Sequence, residues 1–283
     1  MASSFCSSSP VVKSERVVCI AGKGNIAVQA LQYANSKIPN VVCLPVEADD
    51  GVDSWAPSLR KLALDEAIEI VSLSDLFNVD GLLLLSLEYD RLIDVRKFAS
   101  ESLFNIHFSR LPAYKGCFTS VWPLYFGEKA AGVTLHEIDA GIDTGPVIDQ
   151  ISFSIAPHVT ARELYHMYHS FGFELFKRNF LHLLRGNFDS VPQVSEGSSY
   201  FSRSSLGGLP TEVNFVATAF QVANFVRALY FPEYQTATVR GQPVEYVAVE
   251  TNRSNLAPGT LVMSQGKLAT FATVDFDITL RLI

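Results

Sequence analysis

The sequence predicts an α/β protein with a Rossmann-like, mostly parallel sheet and a smaller β-rich C-terminal domain. Two observations carry this prediction. In the first half of the chain, short continuous apolar runs alternate with segments of helical spacing, a pattern typical of parallel strands buried on both faces. From Gln235 onwards, short strand-like runs follow one another with turn residues between them and no helical segment.

Strands and helices alternate in the first half. Apolar runs predict strands at Val17–Ala21, Val41–Val46, Ile68–Val71, Gly81–Leu87, Leu103–Phe108 and Gly132–Ile138. Helical spacing predicts a helix over Asn25–Ser36. Its inward-facing residues are Ile26, Ala30, Leu31 and Ala34. A second helix is predicted from Pro57 to about Ala67. Each helix would therefore connect two parallel strands.

The second half contains two further predicted helices. Thr160 and Glu163 form a capping-box pattern that starts a long helix, and Gly186 is a typical residue just past a helix end. A helix over Asn214–Leu229 follows. The strands predicted after it are Gln235–Val239, Val244–Val249, Gly259–Met263, Lys267–Thr273 and Asp277–Leu282. We expect a disordered tail over 1–15, the main domain over 16–190, a linker over 191–213 and the C-terminal domain over 214–283.

Composition excludes several classes of function. A net charge of -7 and a pI near 5.4 argue against a large nucleic-acid surface, which needs clustered Lys and Arg. The longest strongly apolar run, Gly81–Leu87, is too short to span a bilayer. The N-terminal segment lacks the basic and apolar regions of a signal peptide, and the four cysteines have no Cys-x-x-Cys spacing. We therefore expect a cytoplasmic protein with free thiols.

A glycine pattern follows the first strand. Gly22, Gly24 and Ala27 match the G-x-G-x-x-G/A pattern of nucleotide folds, and Glu47 ends the next strand about where a ribose-binding acid is expected. Three interpretations stay open: dinucleotide binding, a phosphate or substrate loop at a helix N-terminus, and a tight turn of purely structural meaning.

Three polar residues indicate a reaction centre. Asn105 and His107 lie two apart on a predicted strand, so they share a face, and Asp143 lies in a glycine-flanked loop after another strand. An amide can donate to an oxyanion, an imidazole can donate or move a proton, and a carboxylate can orient the imidazole. This set suits the transfer of a one-carbon acyl group to an amine.

Other polar residues are less specific. The segment from Ser86 to Asp90 ends a central strand, and its acids are either surface charges or acceptors for a heterocycle. His166 and His169 lie one helical turn apart, but no third ligand lies near them in sequence, so no metal is expected.

These motifs resemble those of the 10-formyltetrahydrofolate-dependent formyltransferases. The matching residues are Asn105-x-His107, the Leu111-Pro112…Gly116 segment and Ile142-Asp143-Thr144-Gly145. The chain resembles the nucleotide-sugar N-formyltransferase branch in Asn25-Ile-Ala-Val, Ser86-Leu-Glu-Tyr-Asp90 and Phe104-Asn-Ile-His-Phe-Ser109. Phe108 stands where the tRNA and purine enzymes have proline.

The resemblance implies an activity and a set of site residues. The activity is transfer of a formyl group from 10-formyltetrahydrofolate to the 3- or 4-amino group of a nucleotide-linked amino-dideoxy sugar of the dTDP type. Asn105, His107 and Asp143 are the implied catalytic residues. The implied cosubstrate-binding residues are Leu85, Ser86, Glu88, Tyr89, Asp90, Asp139 and Gly141. The substrate-binding candidates are Gly24, Asn25 and Lys115.

Other activities stay open at this point. The glycine pattern and Glu47 would also suit an NAD-dependent oxidoreductase. Within the family, methionyl-tRNA or an amino-acid amine could be the acceptor. A binding protein without activity is a further alternative, but it would have no physical need for all three of Asn105, His107 and Asp143. We expect a homodimer formed through the C-terminal strands, whose edges need covering.

Overall fold

The computed structural model describes residues 15–283, so the expected tail over 1–15 lies almost wholly outside the described residues. The described chain divides into two compact units. The first comprises residues up to His107, Val133–Ile151 and His169–Glu196, and the second comprises Phe108–Gly132, Ser152–Tyr168 and Gly197–Ile283.

A seven-stranded sheet contains most elements of the first unit. In chain order its strands are β1 (Val18–Gly22), β2 (Val41–Pro45), β3 (Glu69–Ile70), β4 (Leu83–Leu87), β5 (Leu103–His107), β7 (Ala130–Glu137) and β8 (Val147–Ser154). Their order across the sheet is β3-β2-β1-β4-β5-β7-β8. The first five strands are parallel, and β7 runs antiparallel to β5. The mostly parallel sheet predicted from the sequence is confirmed.

The helices of this unit follow the predicted spacing closely. Helix α1 spans Gly24–Asn35 and buries the four predicted inward-facing residues. Helix α2 spans Leu59–Asp65 and ends soon before Ala67, whose φ of 52° is incompatible with a continuing helix. Helix α4 spans Ala161–Arg185, with residues in both units. The predicted capping box is present, since Thr160 donates its N–H to Glu163 Oε2.

The core of the first unit lies where the sheet meets its helices. Strands β1 and β4 are fully buried. One cluster joins Cys19, Ala21, Leu44, Leu76, Leu82, Leu84 and Leu103. Burial on both faces explains why these strands have continuous apolar runs. The sheet order reverses between β1 and β4, and in such folds ligands bind at the carboxyl ends of the strands beside that point.

The second unit contains the short elements and the C-terminal sheet. Strand β6 (Lys115–Gly116) pairs with β9 (Tyr200–Phe201), helix α3 spans Trp122–Tyr125, and helix α5 spans Arg203–Gly207. Two of these elements, β9 and α5, lie in the stretch where the sequence predicts a linker. Helix α6 spans Ala219–Leu229, and Thr218 caps it, so it begins five residues later than predicted.

Five antiparallel strands form the C-terminal sheet. They are β10 (Thr238–Val239), β11 (Gln242–Val249), β12 (Leu261–Gln265), β13 (Leu268–Ala272) and β14 (Asp277–Leu282), in the order β10-β11-β14-β13-β12. Helix α6 buries Val222 and Val226 in the cluster that also contains Phe271 and Leu280. The predicted strands are all present, and β14 has the predicted bounds.

Candidate active site

Two of the predicted catalytic residues lie side by side on β5. Asn105 is half-buried and His107 is buried, and their positions two apart put both side chains on one face of the sheet. The antiparallel register with β7 pairs Asn105 with His136 and His107 with Thr134. This pairing brings His136, which the sequence analysis did not select, beside the Asn105 amide.

The loop after β7 brings the third predicted residue to the same place. Asp143 Oδ2 lies 3.5 Å from His107 Nδ1, and Asp143 Oδ1 lies 3.7 Å from His136 Nε2. The Asn105 amide donates to Asp143 Oδ1 at 3.4 Å. The predicted convergence of Asn105, His107 and Asp143 is therefore found within one compact unit.

The tautomer of His136 follows from its hydrogen bonds. Its Nδ1 lies 2.7 Å from the Glu137 carbonyl oxygen, which can only accept, so Nδ1 carries the proton. Nε2 then has a lone pair and accepts from Asn105 Nδ2 at 3.1 Å. Burial lowers the pKa of His136 to about 4, against the opposing effect of Asp143, so this histidine stays neutral near pH 7.

Local hydrogen bonds shape the loop that carries Asp143. Asp139 accepts from the Gly141 N–H at 3.0 Å and from the Thr144 hydroxyl at 2.7 Å. A Cβ at Gly145 would overlap the Glu137 carbonyl oxygen, so glycine is required there. Asp143 itself has a φ of 54°, in the left-handed region.

A side chain from beyond α4 also reaches this loop. Gln193 donates from Nε2 to the carbonyl oxygens of Asp143, at 2.9 Å, and Gly145, at 2.8 Å. Gln193 lies in the predicted linker and was not among the predicted site residues. Its signal in the sequence is weak, because a glutamine in a Ser- and Pro-rich stretch has no distinguishing neighbour.

The end of β4 and the three residues after it contain five of the seven predicted cosubstrate-binding residues. Ser86 is buried and pairs in register with Asn105. Leu85 is fully buried in the core, so its side chain is not available to a ligand. Glu88 has a φ of 63° and is half-buried, while Tyr89 packs against the apolar core and Asp90 is exposed.

His169 links the end of β4 to the start of α1. Its Nδ1 accepts from the Ile26 N–H at 3.0 Å, so the proton is on Nε2, which lies 3.3 Å from Glu88 Oε2. Gly24 lies beside this imidazole. The structure thus places Gly24 and Glu88 together, with a histidine between helix α1 and the carboxylate.

The glycine pattern has a structural explanation. A Cβ at Gly22 would overlap the Leu87 carbonyl oxygen, because β1 and β4 run in close register. The first-turn N–H of Ile26, which would face a phosphate in a dinucleotide site, is bonded to His169. Glu47, the expected ribose-binding acid, forms an ion pair with Arg91. These contacts argue against a dinucleotide site.

The remaining substrate-binding candidates differ in their surroundings. Asn25 is half-buried in the first turn of α1 in the first unit. Lys115 lies in the second unit, on β6, where its Nζ donates to the Ser198 hydroxyl at 3.2 Å.

Two further properties of the described chain bear on function. Across residues 15–283, no group of three or more His, Cys, Asp or Glu side chains has an arrangement that could hold a metal ion. Over the same residues, no helix combines the length and the apolar character needed to cross a membrane.

The arrangement can support acyl transfer to a nucleophile. Asn105 and His107 offer N–H groups on one side of Asp143, and the carboxylate lies within about one hydrogen-bond length of both. The imidazole and carboxylate can relay a proton, and the amide can stabilise a developing negative charge on oxygen.

A family model described as "Formyl transferase" matches residues 16–179. This range contains every site residue of the first unit named in this subsection except Gln193.

Solved structures and curated relatives agree with this match. A sugar 3N-formyl transferase, WlaRD, solved in the presence of dTDP and 5-N-formyl-THF, is 36% identical, with a TM-score of 0.88 and coverage of 96% of this chain and 99% of that one. An N-formyltransferase from Helicobacter canadensis, in complex with folinic acid and dTDP-3-aminofucose, is also 36% identical, with a TM-score of 0.88 and coverage of 95% and 100%. Methionyl-tRNA formyltransferase from Thermodesulfovibrio yellowstonii is 24% identical over 262 residues, 87% of this chain and 84% of the relative.

Proposed function

Because the chain belongs to the formyl transferase family, we propose that it transfers a formyl group from 10-formyltetrahydrofolate to the 3- or 4-amino group of a nucleotide-linked amino-dideoxy sugar of the dTDP type. The single observation that carries the reaction type is the convergence of Asn105, His107 and Asp143. The acceptor class is supported by the two 36% identical structures, which hold dTDP or a dTDP-amino sugar together with a formylated folate.

The reaction balances without a further reagent. The cosubstrate supplies a formyl carbon: its bond to N10 breaks, an amide bond to the sugar nitrogen forms, and the proton lost by the amine matches the one gained by N10. The protein must therefore stabilise charge on the formyl oxygen and accept a proton from the amine.

Asn105 supplies a donor for the formyl oxygen in this proposal. Its two amide hydrogens point towards His136 Nε2, at 3.1 Å, and Asp143 Oδ1, at 3.4 Å. The bond to Asp143 is the longer and weaker of the two. We expect the formyl oxygen to replace it, while the bond to His136 keeps the amide oriented.

His107 and Asp143 handle the proton. His107 Nδ1 faces the carboxylate at 3.5 Å, so its Nε2 lies on the opposite side of the ring, and it can donate to the formyl group when both ring nitrogens carry a proton. Asp143 accepts the amine proton, directly or through water. Distances of this length are common in ligand-free sites and shorten when substrate binds.

The other predicted site residues keep their proposed roles. The backbone around Leu85 to Asp90 and the loop from Asp139 to Gly141 would hold the pterin ring. The left-handed backbone at Glu88 turns the chain away from the sheet at the switch point, which is consistent with a ligand there. Gly24 and Asn25 stay the proposed acceptor-binding residues of the first unit, and Lys115 stays a separate candidate in the second unit.

Methionyl-tRNA is the alternative acceptor within the family. A relative with that activity aligns with 87% of this chain. The net charge of -7 disfavours it, because binding to tRNA requires many phosphate contacts from Lys and Arg. An amino-acid amine is the third possible acceptor.

A panel assay tests the proposal. The full chain is incubated with 10-formyltetrahydrofolate and, separately, with dTDP-linked 3-amino and 4-amino sugars, methionyl-tRNA and free amino acids. Mass spectrometry then detects a gain of one formyl group. We expect transfer to an amino-sugar nucleotide. Transfer to methionyl-tRNA or an amino acid, with none to the nucleotides, would overturn the proposal.

We propose a homodimer formed through strand β12. All five residues of β12 are exposed, they include Leu261, Val262 and Met263, and none is charged or proline. An exposed, uncharged edge strand tends to pair with another strand. Antiparallel pairing of β12 with its copy would satisfy a two-fold interface.

The cellular location and the domain division are likewise proposals. Cys19, Cys43 and Cys117 are free thiols, which suits the reducing cytoplasm. We propose that residues 16–190 carry the catalysis and that residues 214–283 form the dimer.

A further inference from the structure

Gln193, which lies after α4 in the chain, holds the loop of Asp143 through its side-chain amide. The Nε2 group has two hydrogens, and both are donated to backbone carbonyl oxygens of this loop: Asp143 at 2.9 Å and Gly145 at 2.8 Å. Both carbonyls lie on the C-terminal side of the predicted catalytic carboxylate, in the peptide groups that follow Asp143 and Gly145. One side chain thus fixes two peptide groups next to Asp143.

Backbone pairing sets the position of Gln193. Two residues earlier, Val191 forms a bridge with Val147 of β8, with two N–H···O bonds of 2.8 Å. Val147 in turn lies two residues after Gly145. The segment that follows α4 therefore runs beside the start of β8, and this pairing fixes the side of the loop that Gln193 reaches.

The loop benefits from such a contact. Asp143 adopts a left-handed backbone, with φ 54°, which a residue with a Cβ adopts only at an energetic cost. Asp139 stabilises the first part of the loop through Gly141 and Thr144. Gln193 acts on the second part of the loop, where the Asp143 carboxylate must stay close to His107 and Asn105.

The other end of the Gln193 amide shows that stability alone does not explain this residue. Its Oε1 is buried and has no hydrogen-bond partner among residues 15–283. A buried acceptor without a partner destabilises a protein. Methionine has the same length and no such acceptor, so it would fill the space without that penalty. What glutamine provides is the pair of donors.

We propose that Gln193 is a positioning residue that keeps Asp143 in the geometry needed for formyl transfer. The proposal rests on the proposed function, because it assigns Asp143 a role in proton transfer. Loss of the two donors frees the carbonyls of Asp143 and Gly145, and the carboxylate then moves relative to His107. Misplacement by about 1 Å can cost on the order of 10²-fold in rate.

The test compares Gln193→Met with Val194→Ala. Val194 is the next residue, its side chain is 66% exposed, and its replacement leaves the amide in place. For Gln193→Met we expect kcat to fall by on the order of 10²-fold in a protein that still folds, since the lost hydrogen bonds are partly offset by removal of the unpaired Oε1. For Val194→Ala we expect wild-type kcat. Unchanged kcat in Gln193→Met would overturn the proposal, and so would a fall in kcat that tracks a loss of stability.

A second readout does not depend on activity. Amide hydrogen exchange of a peptide spanning 139–147 should be faster in Gln193→Met and unchanged in Val194→Ala, because the two hydrogen bonds of Gln193 hold that loop. If the panel assay detects no formyl transfer to a nucleotide sugar but hydrogen exchange changes as expected, Gln193 does hold the loop and the proposed function is wrong. Unchanged exchange in a folded Gln193→Met protein would overturn the proposal that Gln193 holds this loop, whatever the activity.

A double-variant comparison separates positioning from general structural support. In an Asp143→Asn background, Gln193→Met should lower the residual rate by far less than it does in the wild-type protein, because the carboxylate that it positions is gone. An equal factor in both backgrounds would show that Gln193 acts independently of Asp143 and would overturn the proposal.

Discussion

His136 Nε2 accepts a hydrogen bond from the Asn105 amide at 3.1 Å, and the Glu137 carbonyl fixes the tautomer that allows this. The orientation of the Asn105 amide is therefore set by the neutral imidazole of His136 on the neighbouring strand. If His136 were protonated, Nε2 would become a donor and would oppose the amide N–H. The low pKa of His136 keeps this support intact across the physiological range.

Acid should weaken folding through His136. Its pKa is about 4 in the folded protein, below the ordinary value of 6.5, so the unfolded chain binds the proton first as the pH falls. The contribution is absent above about pH 6.5, destabilises progressively down to about pH 4, and is then constant. Urea unfolding over this range should show a smaller pH dependence for His136→Gln than for the wild type. Identical slopes would mean that His136 does not resist protonation.

Loss of the Asn105 amide should reduce turnover with the fold intact. We expect Asn105→Ala to lower kcat by roughly 10²–10³-fold, the typical effect of removing one oxyanion donor. Asn35→Ala is the matched control, since its exposed amide binds Glu66 at the end of α1. Steady-state rates and circular dichroism check both variants. A folded Asn105→Ala protein with wild-type kcat would remove Asn105 from the mechanism.

Replacement of His107 should have a similar effect. His107→Asn keeps a polar side chain but cannot relay a proton, so we expect kcat to fall by roughly 10²–10³-fold. His182→Asn, at an exposed position near the end of α4, should leave kcat unchanged. Comparable rates for the two variants would contradict a role for His107 in proton transfer.

Gly22 should tolerate no side chain. A Cβ there would overlap the Leu87 carbonyl oxygen, and the φ of 148° is unusual for other residues. We expect Gly22→Ala to lower the free energy of unfolding by on the order of 3 kcal/mol. Gly207→Ala, which meets open space, should change it by less than about 0.5 kcal/mol. Denaturant titration measures both, and equal stabilities would refute the close packing of β1 on β4.

A charge on the exposed edge strand should prevent dimer formation. Met263 is 58% exposed on β12, and Met263→Lys would place two like charges near each other in a two-fold pair of strands. We expect light scattering to give a dimer for the wild type and a monomer for this variant. Val216→Lys, at another exposed apolar position, should remain dimeric. A monomeric wild-type protein, or a dimeric Met263→Lys variant, would exclude β12 as the interface.

Local sequence patterns predict secondary structure well where burial restricts the choice of residue. The apolar runs at β1 and β4 and the inward face of α1 were predicted at nearly the observed positions, because burial on both faces leaves little choice of residue. Strand β8 was missed, since its half-buried edge position mixes polar and apolar residues. The fold class and the family predicted from the sequence are confirmed.

The sequence by itself determined which three polar residues are the catalytic candidates, because Asn105 and His107 share a strand face and Asp143 follows a strand in a glycine-flanked loop. Only the tertiary structure decided which groups support them. His136 reaches Asn105 through the antiparallel register of β5 and β7, and Gln193 reaches Asp143 across fifty residues of chain. Such contacts depend on strand register and loop path, which arise from packing between distant segments and leave no local pattern in the sequence.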